Sequence, residues 1–147
     1  MIKQAIIPLA GLGTRLLPLT SVIAKELLPI NGKPGLEYII DECIEAGIKE
    51  IILIISNKKI MIKNYFNNDI FFKKIIKKKK DKRISNEYKK ILKYKKMIKF
   101  VYQNNPRGTG DAVLKTKKLI KDNYFLMLLP DDLIIKKKLF KSNDINT

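Results

Sequence analysis

Leu9-Ala10-Gly11-Leu12-Gly13-Thr14-Arg15-Leu16-Leu17-Pro18 is the stretch on which the reading of the fold turns. It follows a β-rich apolar run, Lys3 to Leu9, so a strand runs straight into a glycine-rich turn. Two glycines let backbone amides come close to phosphate oxygens, and Arg15 adds a planar fork of donors that fits the same oxygens. The stretch therefore reads as an anion cradle at the end of a strand. Neither common phosphate loop is present. Position 16 is Leu, which breaks the three-glycine dinucleotide fingerprint, and no Gly-Lys-Ser/Thr follows to make a P-loop.

Working outward, Pro34 to Ala46 carries apolar residues at Leu36, Ile39, Ile40, Cys43, Ile44 and Ala46, which is helical spacing, with Pro34 suited to the first turn and Gly47 to the stop. Glu50 to Ile55 reads as a strand buried on both faces, so the first fifty-five residues make one βαβ unit. The spacing predicts a second helix over Lys58 to Phe66, a third strand at Lys99 to Tyr102, a third helix at Asp111 to Ile120 and a fourth strand at Tyr124 to Leu129. This alternation predicts an α/β fold, Rossmann-like, with a mostly parallel sheet and helices on both faces. Residues 1–147 form one domain, interrupted at about 67–97 by a Lys-rich helical excursion that lies across the sheet edge or is partly mobile.

Composition narrows the class. The chain has 147 residues, 46% hydrophobic, with no apolar run long enough to span a membrane. Pro8, Gly11 and Gly13 break the apolar segment that faintly resembles a signal peptide, so the expected protein is soluble and cytoplasmic. Cys43 is the only cysteine and sits in an apolar-periodic stretch, which predicts a buried, inert thiol. The chain has no His, which excludes Ser-His-Asp catalysis and His-ligated zinc. The net charge of +17 invites a nucleic-acid reading. Only three of the 31 basic residues are Arg, however, and the Lys73 to Lys99 peak has no interleaved glycine and no stacking-aromatic pattern of the kind single-strand binders use, which favours a solvated helical face over a nucleic-acid patch.

In open α/β sheets ligands bind beyond the carboxyl ends of the strands, and three of the four predicted ends are chemically loaded. Beyond the first lie the cradle and, ten residues past Arg15, Lys25 in a segment predicted irregular. Beyond the third lies Gln103-Asn104-Asn105-Pro106-Arg107-Gly108-Thr109-Gly110, where an amide that donates and accepts together suits a pyrimidine edge. Beyond the fourth, Asp131 and Asp132 offer hard oxygen ligands for a Mg²⁺ ion carried in by a triphosphate, with Asp131 the preferred of the two. Each feature also has a plainer explanation: a tight glycine turn, a Pro-Gly turn with Asp111 capping a helix, an exposed acidic turn. Their convergence on one edge weighs against those explanations.

Ala10-Gly11-Leu12-Gly13-Thr14-Arg15, Lys25-Glu26-Leu27-Leu28-Pro29, Lys33-Pro34, Ala46-Gly47-Ile48, Gln103 with Gly108 and Gly110, and Leu129-Pro130-Asp131 resemble the sugar-1-phosphate nucleotidyltransferases, in particular the bacterial uridylyltransferases that make UDP-glucose. The resemblance spans the chain apart from the Lys-rich excursion. Relatives that make dTDP-glucose usually carry Gly-Gly where this chain has Gly11-Leu12. The resemblance implies transfer of a uridylyl group from UTP to glucose 1-phosphate, with Mg²⁺. It implies Arg15 and Lys25 as catalytic residues, Leu9, Ala10, Gly11, Gly13, Thr14, Gln103 and Gly108 around the nucleotide, and Asp131 at the metal. The full-length family also admits a homo-oligomer.

Two departures stand out. Ser21 and Ala24 replace a usual Lys and Pro, which predicts a looser loop that is one cation poorer. Family members run to about twice this length, which leads to the expectation of a shortened chain lacking the sugar-binding half. The alternatives are a nucleotide-binding remnant without turnover, a thymidylyltransferase, or a basic nucleic-acid-binding module.

Overall fold

The computed structural model describes residues 1–105 and 107–131; Asp132, the second metal candidate, lies outside the described residues, as does Pro106. The strands are β1 (Gln4–Pro8), β2 (Pro29–Ile30), β3 (Lys33–Pro34), β4 (Glu50–Ile55), β5 (Ile98–Tyr102) and β6 (Leu126–Met127), and the helices are α1 (Gly35–Glu45), α2 (Ile60–Asn67), α3 (Asp69–Lys79), α4 (Lys82–Met97) and α5 (Thr109–Lys115). Four strands form a parallel sheet in the order β5-β4-β1-β6, with Ile6 opposite Ile52 on one side and Met127 on the other.

The near-continuous aliphatic runs of β1 and β4 need cover on both faces, and both are covered. Ala5, Ile7, Leu9, Ile51, Leu53 and Ile55 pack on one face against α1, α2 and α4, through residues such as Leu36, Ile40, Phe66 and Tyr94. Ile6, Ile52 and Ile54 face the other way, onto Ala112 of α5 and the partly buried Val113, Leu119, Ile120 and Phe125. The expected α/β fold with helices on both faces is therefore present.

Helix α1 starts one residue later than the spacing predicts, with Pro34 as its N-cap, and Gly47 at φ +79° lets the chain reverse after it. The predicted strand at Tyr124 to Leu129 is assigned only over Leu126–Met127. It pairs with β1 on one side alone, although Leu128 N–H still donates to the Ile6 carbonyl at 3.1 Å.

Two features depart from the sequence reading. The segment read as wholly irregular before α1 contains a small antiparallel hairpin, β2-β3, turned by Asn31 (φ 49°) and Gly32 (φ 74°). Both central residues are left-handed, as a primed two-residue turn requires, and Asn-Gly is the usual pair there. The Lys-rich excursion also divides. Helix α3 buries none of its residues, but α4 buries Tyr88, Ile91 and Tyr94 and contributes the last two to the main core. Surrounding lysines hide this periodicity in the sequence, because their apolar stems lie along the helix while their ammonium groups reach water.

Polar contacts tie α4 down further. Tyr94 donates to Asp41 at 2.7 Å, Lys90 lies 2.8 Å from the buried Glu37, and Tyr65 of α2 donates to the other Glu37 oxygen at 2.5 Å. Burial and the facing carboxylates raise the pKa of both phenols, which keeps them neutral donors.

Candidate functional site

The carboxyl ends of the strands meet at one edge, and the predicted site residues gather there. Beyond β1 the Leu9 N–H donates to the Ile54 carbonyl at 2.7 Å, so the ladder carries the chain to the start of the cradle. The Leu9 and Ala10 side chains are buried, which leaves their backbone as the part available to a ligand. At Gly11 the space a Cβ would occupy is open. Gly13 has φ +67°, and a Cβ there would stand 3.1 Å from Thr20 Cγ2 and 3.4 Å from Lys25 Cδ. The Thr20 hydroxyl donates to the Gly13 carbonyl at 2.8 Å, folding the loop back on itself. Glycine is required at 13 for both conformation and room.

Arg15 lies in a 3₁₀ turn, Thr14–Leu16, and is exposed; among the described residues it has no ion-pair partner. Lys25 opens a second 3₁₀ turn, Lys25–Leu27, and its ammonium group pairs with the Asp131 carboxylate, 106 positions away in sequence. The two residues stand where two cavities join. One, of about 450 Å³, is lined by Gly13, Thr14, Arg15 and Leu16. The other, of about 410 Å³, is lined by Ala10, Gly11, Gln103 and Gly108. The fold therefore brings Ala10, Gly11, Gly13, Thr14, Arg15, Lys25, Gln103, Gly108 and Asp131 to one cleft, with a cationic cradle at one end and an amide at the other.

Gln103 departs from its expected use. Its N–H extends the sheet to the Ile55 carbonyl at 2.8 Å, and its side chain is 3% exposed. The Nε2 group donates to Asp111 Oδ2 at 2.6 Å and to the Gly108 carbonyl at 3.3 Å. The amide is thus not free both to donate and to accept, because its donor is already committed. Asp111 is not a helix cap either: α5 is capped by Gly108 at φ 96° with no side-chain hydrogen bond. Arg107 lines a separate depression with Tyr102, Asn104, Asp111 and Lys115, outside the cleft.

Sequence reasoning missed a buried pair beneath the cleft. Lys59 Nζ lies 2.7 Å and 2.8 Å from the two Glu26 oxygens, with side-chain exposures of 7% and 2%. Desolvation lowers the Lys59 pKa, against the attraction of Glu26. Glu26 immediately follows Lys25, so the pair anchors the turn that presents the cation. Nothing marks Lys59 among so many lysines; a Glu directly before the apolar pair Leu27-Leu28 was the available signal. Ala24, where a looser loop is expected, has φ −65° and ψ 132°, a φ that proline would also impose, and its N–H donates to Met61 Sδ at 3.0 Å.

For a divalent ion, the described residues contain no cluster of three or more His, Cys, Asp or Glu. Asp131 is a single carboxylate, 64% exposed, already facing a cation. That donor set suits a Mg²⁺ ion whose remaining ligands are phosphate oxygens and water. No helix among the described residues is long and apolar enough to cross a membrane.

Comparison with known proteins agrees with this arrangement. Residues 4–143 match the model of the nucleotidyl transferase family. The UTP–glucose-1-phosphate uridylyltransferase of Mycoplasma pneumoniae is 41% identical over 133 residues, 90% of this chain and 45% of the relative. The Escherichia coli enzyme of the same name is 38% identical over 130 residues, 88% of this chain and 43% of the relative. A UTP-bound UGPase structure from Acinetobacter baumannii superposes with a TM-score of 0.85 at 38% identity, covering 92% of this chain and 48% of that one. The chain spans under half the length of the relatives it matches.

Proposed function

The chain belongs to the nucleotidyl transferase family, and from that premise we propose that it binds UTP in the cleft and serves uridylyl transfer to glucose 1-phosphate. One observation supports the proposal: Lys25 and Asp131 meet between the glycine cradle and Gln103, so the residues proposed here for phosphate, metal and base line one cleft. In the proposed reaction a phosphate oxygen of glucose 1-phosphate attacks the α-phosphorus of UTP, the bond to the bridging oxygen breaks, and pyrophosphate leaves. The attacking oxygen is already ionised, so no protein base is required. The protein's part is positioning and charge stabilisation.

Arg15, exposed over the cradle, is placed to hold the departing pyrophosphate, and Lys25 the α-phosphate and the incoming sugar phosphate. Gly11 and Gly13 admit the phosphates to the backbone amides, with Leu9, Ala10 and Thr14 supplying that backbone, while Gln103 and Gly108 bound the base. Asp131 would hold Mg²⁺, which would supply neutralisation of triphosphate charge. Lys25, paired with Asp131 in the free protein, exchanges that carboxylate for phosphate when the nucleotide binds. Nucleotide and sugar-phosphate substrates accord with a cytoplasmic location.

The test is calorimetric titration of the chain with UTP and Mg²⁺, beside pyrophosphate release in the presence of glucose 1-phosphate. A charge-assisted contact is worth about 1.5–3 kcal/mol, so Arg15→Ala should weaken UTP binding roughly 10- to 100-fold with no change in folding. Absence of UTP binding, or binding indifferent to Arg15→Ala, defeats the assignment. Binding without pyrophosphate release identifies a nucleotide-binding unit that does not turn over.

A further inference from the structure

Gln103 lines the cleft, while Asp111 lines the depression behind it. The amide nitrogen of Gln103 has two neighbours on its inner side, Asp111 Oδ2 at 2.6 Å and the Gly108 carbonyl at 3.3 Å. Both are acceptors only. An amide turned the other way would set its own oxygen against two oxygens, losing two hydrogen bonds, one of them charge-assisted, in a side chain only 3% exposed. The orientation is therefore dictated by chemistry. Among the described residues no donor reaches Gln103 Oε1, so the group left for a ligand is an acceptor.

We propose that Asp111 is a positioning residue which locks the Gln103 amide with Oε1 as its only free hydrogen-bonding atom, restricting the nucleotide to pyrimidine bases that present an N–H at N3. This rests on the nucleotide reading of the cleft. Uracil and thymine present an imide N–H at N3; cytosine presents a lone pair at the same atom, which would stand against Oε1. An unlocked glutamine could turn its NH₂ to meet that lone pair, as an amide serves either way round. Asp111 removes that option, so discrimination arises from a residue that need not touch the base. A site with a fixed polar partner rejects the mismatched ligand because the buried group is left unpaired.

The experiment titrates the full chain with UTP, dTTP and CTP, each with Mg²⁺, and compares wild type with Asp111→Asn and Asp111→Glu. Wild type should prefer UTP and dTTP over CTP by at least roughly tenfold. Asp111→Asn can offer Gln103 either an oxygen or an NH₂, so its UTP-to-CTP preference should fall about tenfold, towards parity. Losing a negative charge near the cleft would strengthen all three triphosphates together and cancels in the ratio. Asp111→Glu keeps an acceptor-only partner and should keep the preference. Thermal unfolding of each variant identifies any loss of fold; if Asp111→Asn does not fold, the inference stands or falls on wild type and Asp111→Glu, with loss of preference in either overturning it. A ratio unchanged in folded Asp111→Asn, or equal weakening of all three ligands, overturns the inference while leaving UTP binding intact. No UTP binding by wild type overturns the nucleotide reading and this inference together.

Discussion

Replacing Lys59 by Met tests whether the buried pair under the cleft holds the Lys25 turn in place. With Nζ 2.7 Å and 2.8 Å from the Glu26 oxygens, the gross Coulomb attraction at an effective dielectric of about 20 is about 6 kcal/mol. Burying the two ions costs an amount of the same order, so the intact pair sits close to neutral. Removing one partner is different, because the Glu26 carboxylate then lacks compensation in a site where its side chain is 2% exposed. The expected loss is about 3–5 kcal/mol. At roughly 3 °C per kcal/mol for a chain of this length, the thermal midpoint should fall about 12 °C.

Urea unfolding followed by far-ultraviolet circular dichroism measures the loss. The double variant Lys59→Met with Glu26→Leu should recover most of the loss, as an apolar pair does in place of a buried ion pair. A single variant within about 1 kcal/mol of wild type, or a double variant worse than the single, refutes the reasoning.

Three other outcomes follow from the geometry. Gly13→Ala meets both a left-handed φ of +67° and Thr20 Cγ2 at 3.1 Å, so it should cost about 1–2 kcal/mol and weaken UTP binding roughly tenfold; calorimetry showing unchanged affinity would contradict the close-fitting loop. Glu50 joins the amino-terminal ends of β1, β4 and β5, accepting from Gln4 at 2.7 Å and pairing with Lys99 at 2.7 Å and Lys121 at 3.2 Å. Desolvation pushes its carboxyl up, but these partners outweigh it and set the pKa below the ordinary value. Its contribution is thus present above the unfolded pKa and lost as pH falls through the folded one, so the gap between wild type and Glu50→Gln should be about 1–2 kcal/mol at pH 7 and close in acid. Cys43 is fully buried, and desolvation, with Glu42 nearby, pushes its thiol up to about 12; thiol reagents at pH 8 should label it only in denaturant, and rapid labelling of native protein would contradict the packing of α1.

Much of this protein is determined by local chemistry, and to that extent the sequence by itself sufficed. Unbroken aliphatic runs at Ala5 to Ile7 and Ile51 to Ile55 leave no polar face, so they must lie in a sheet covered on both sides. Gly11, Gly13 and Arg15 alternate within one short stretch of sequence, so their cradle could be read directly. The asparagine-glycine turn at Asn31 and Gly32 was equally legible, though overlooked. Tertiary structure decided what depended on partners distant in the chain or hidden by composition. Ile91 and Tyr94 became core only because α4 met α1 and α2, and a helix dense in lysine shows no such face until its ammonium groups are seen reaching outward. Lys59 was one lysine among many until it closed on Glu26. Asp111 looked like a cap until the chain set it against Gln103. A side chain's role follows from what it faces once water is excluded, and for residues 33 or 106 positions apart only the folded chain determines that.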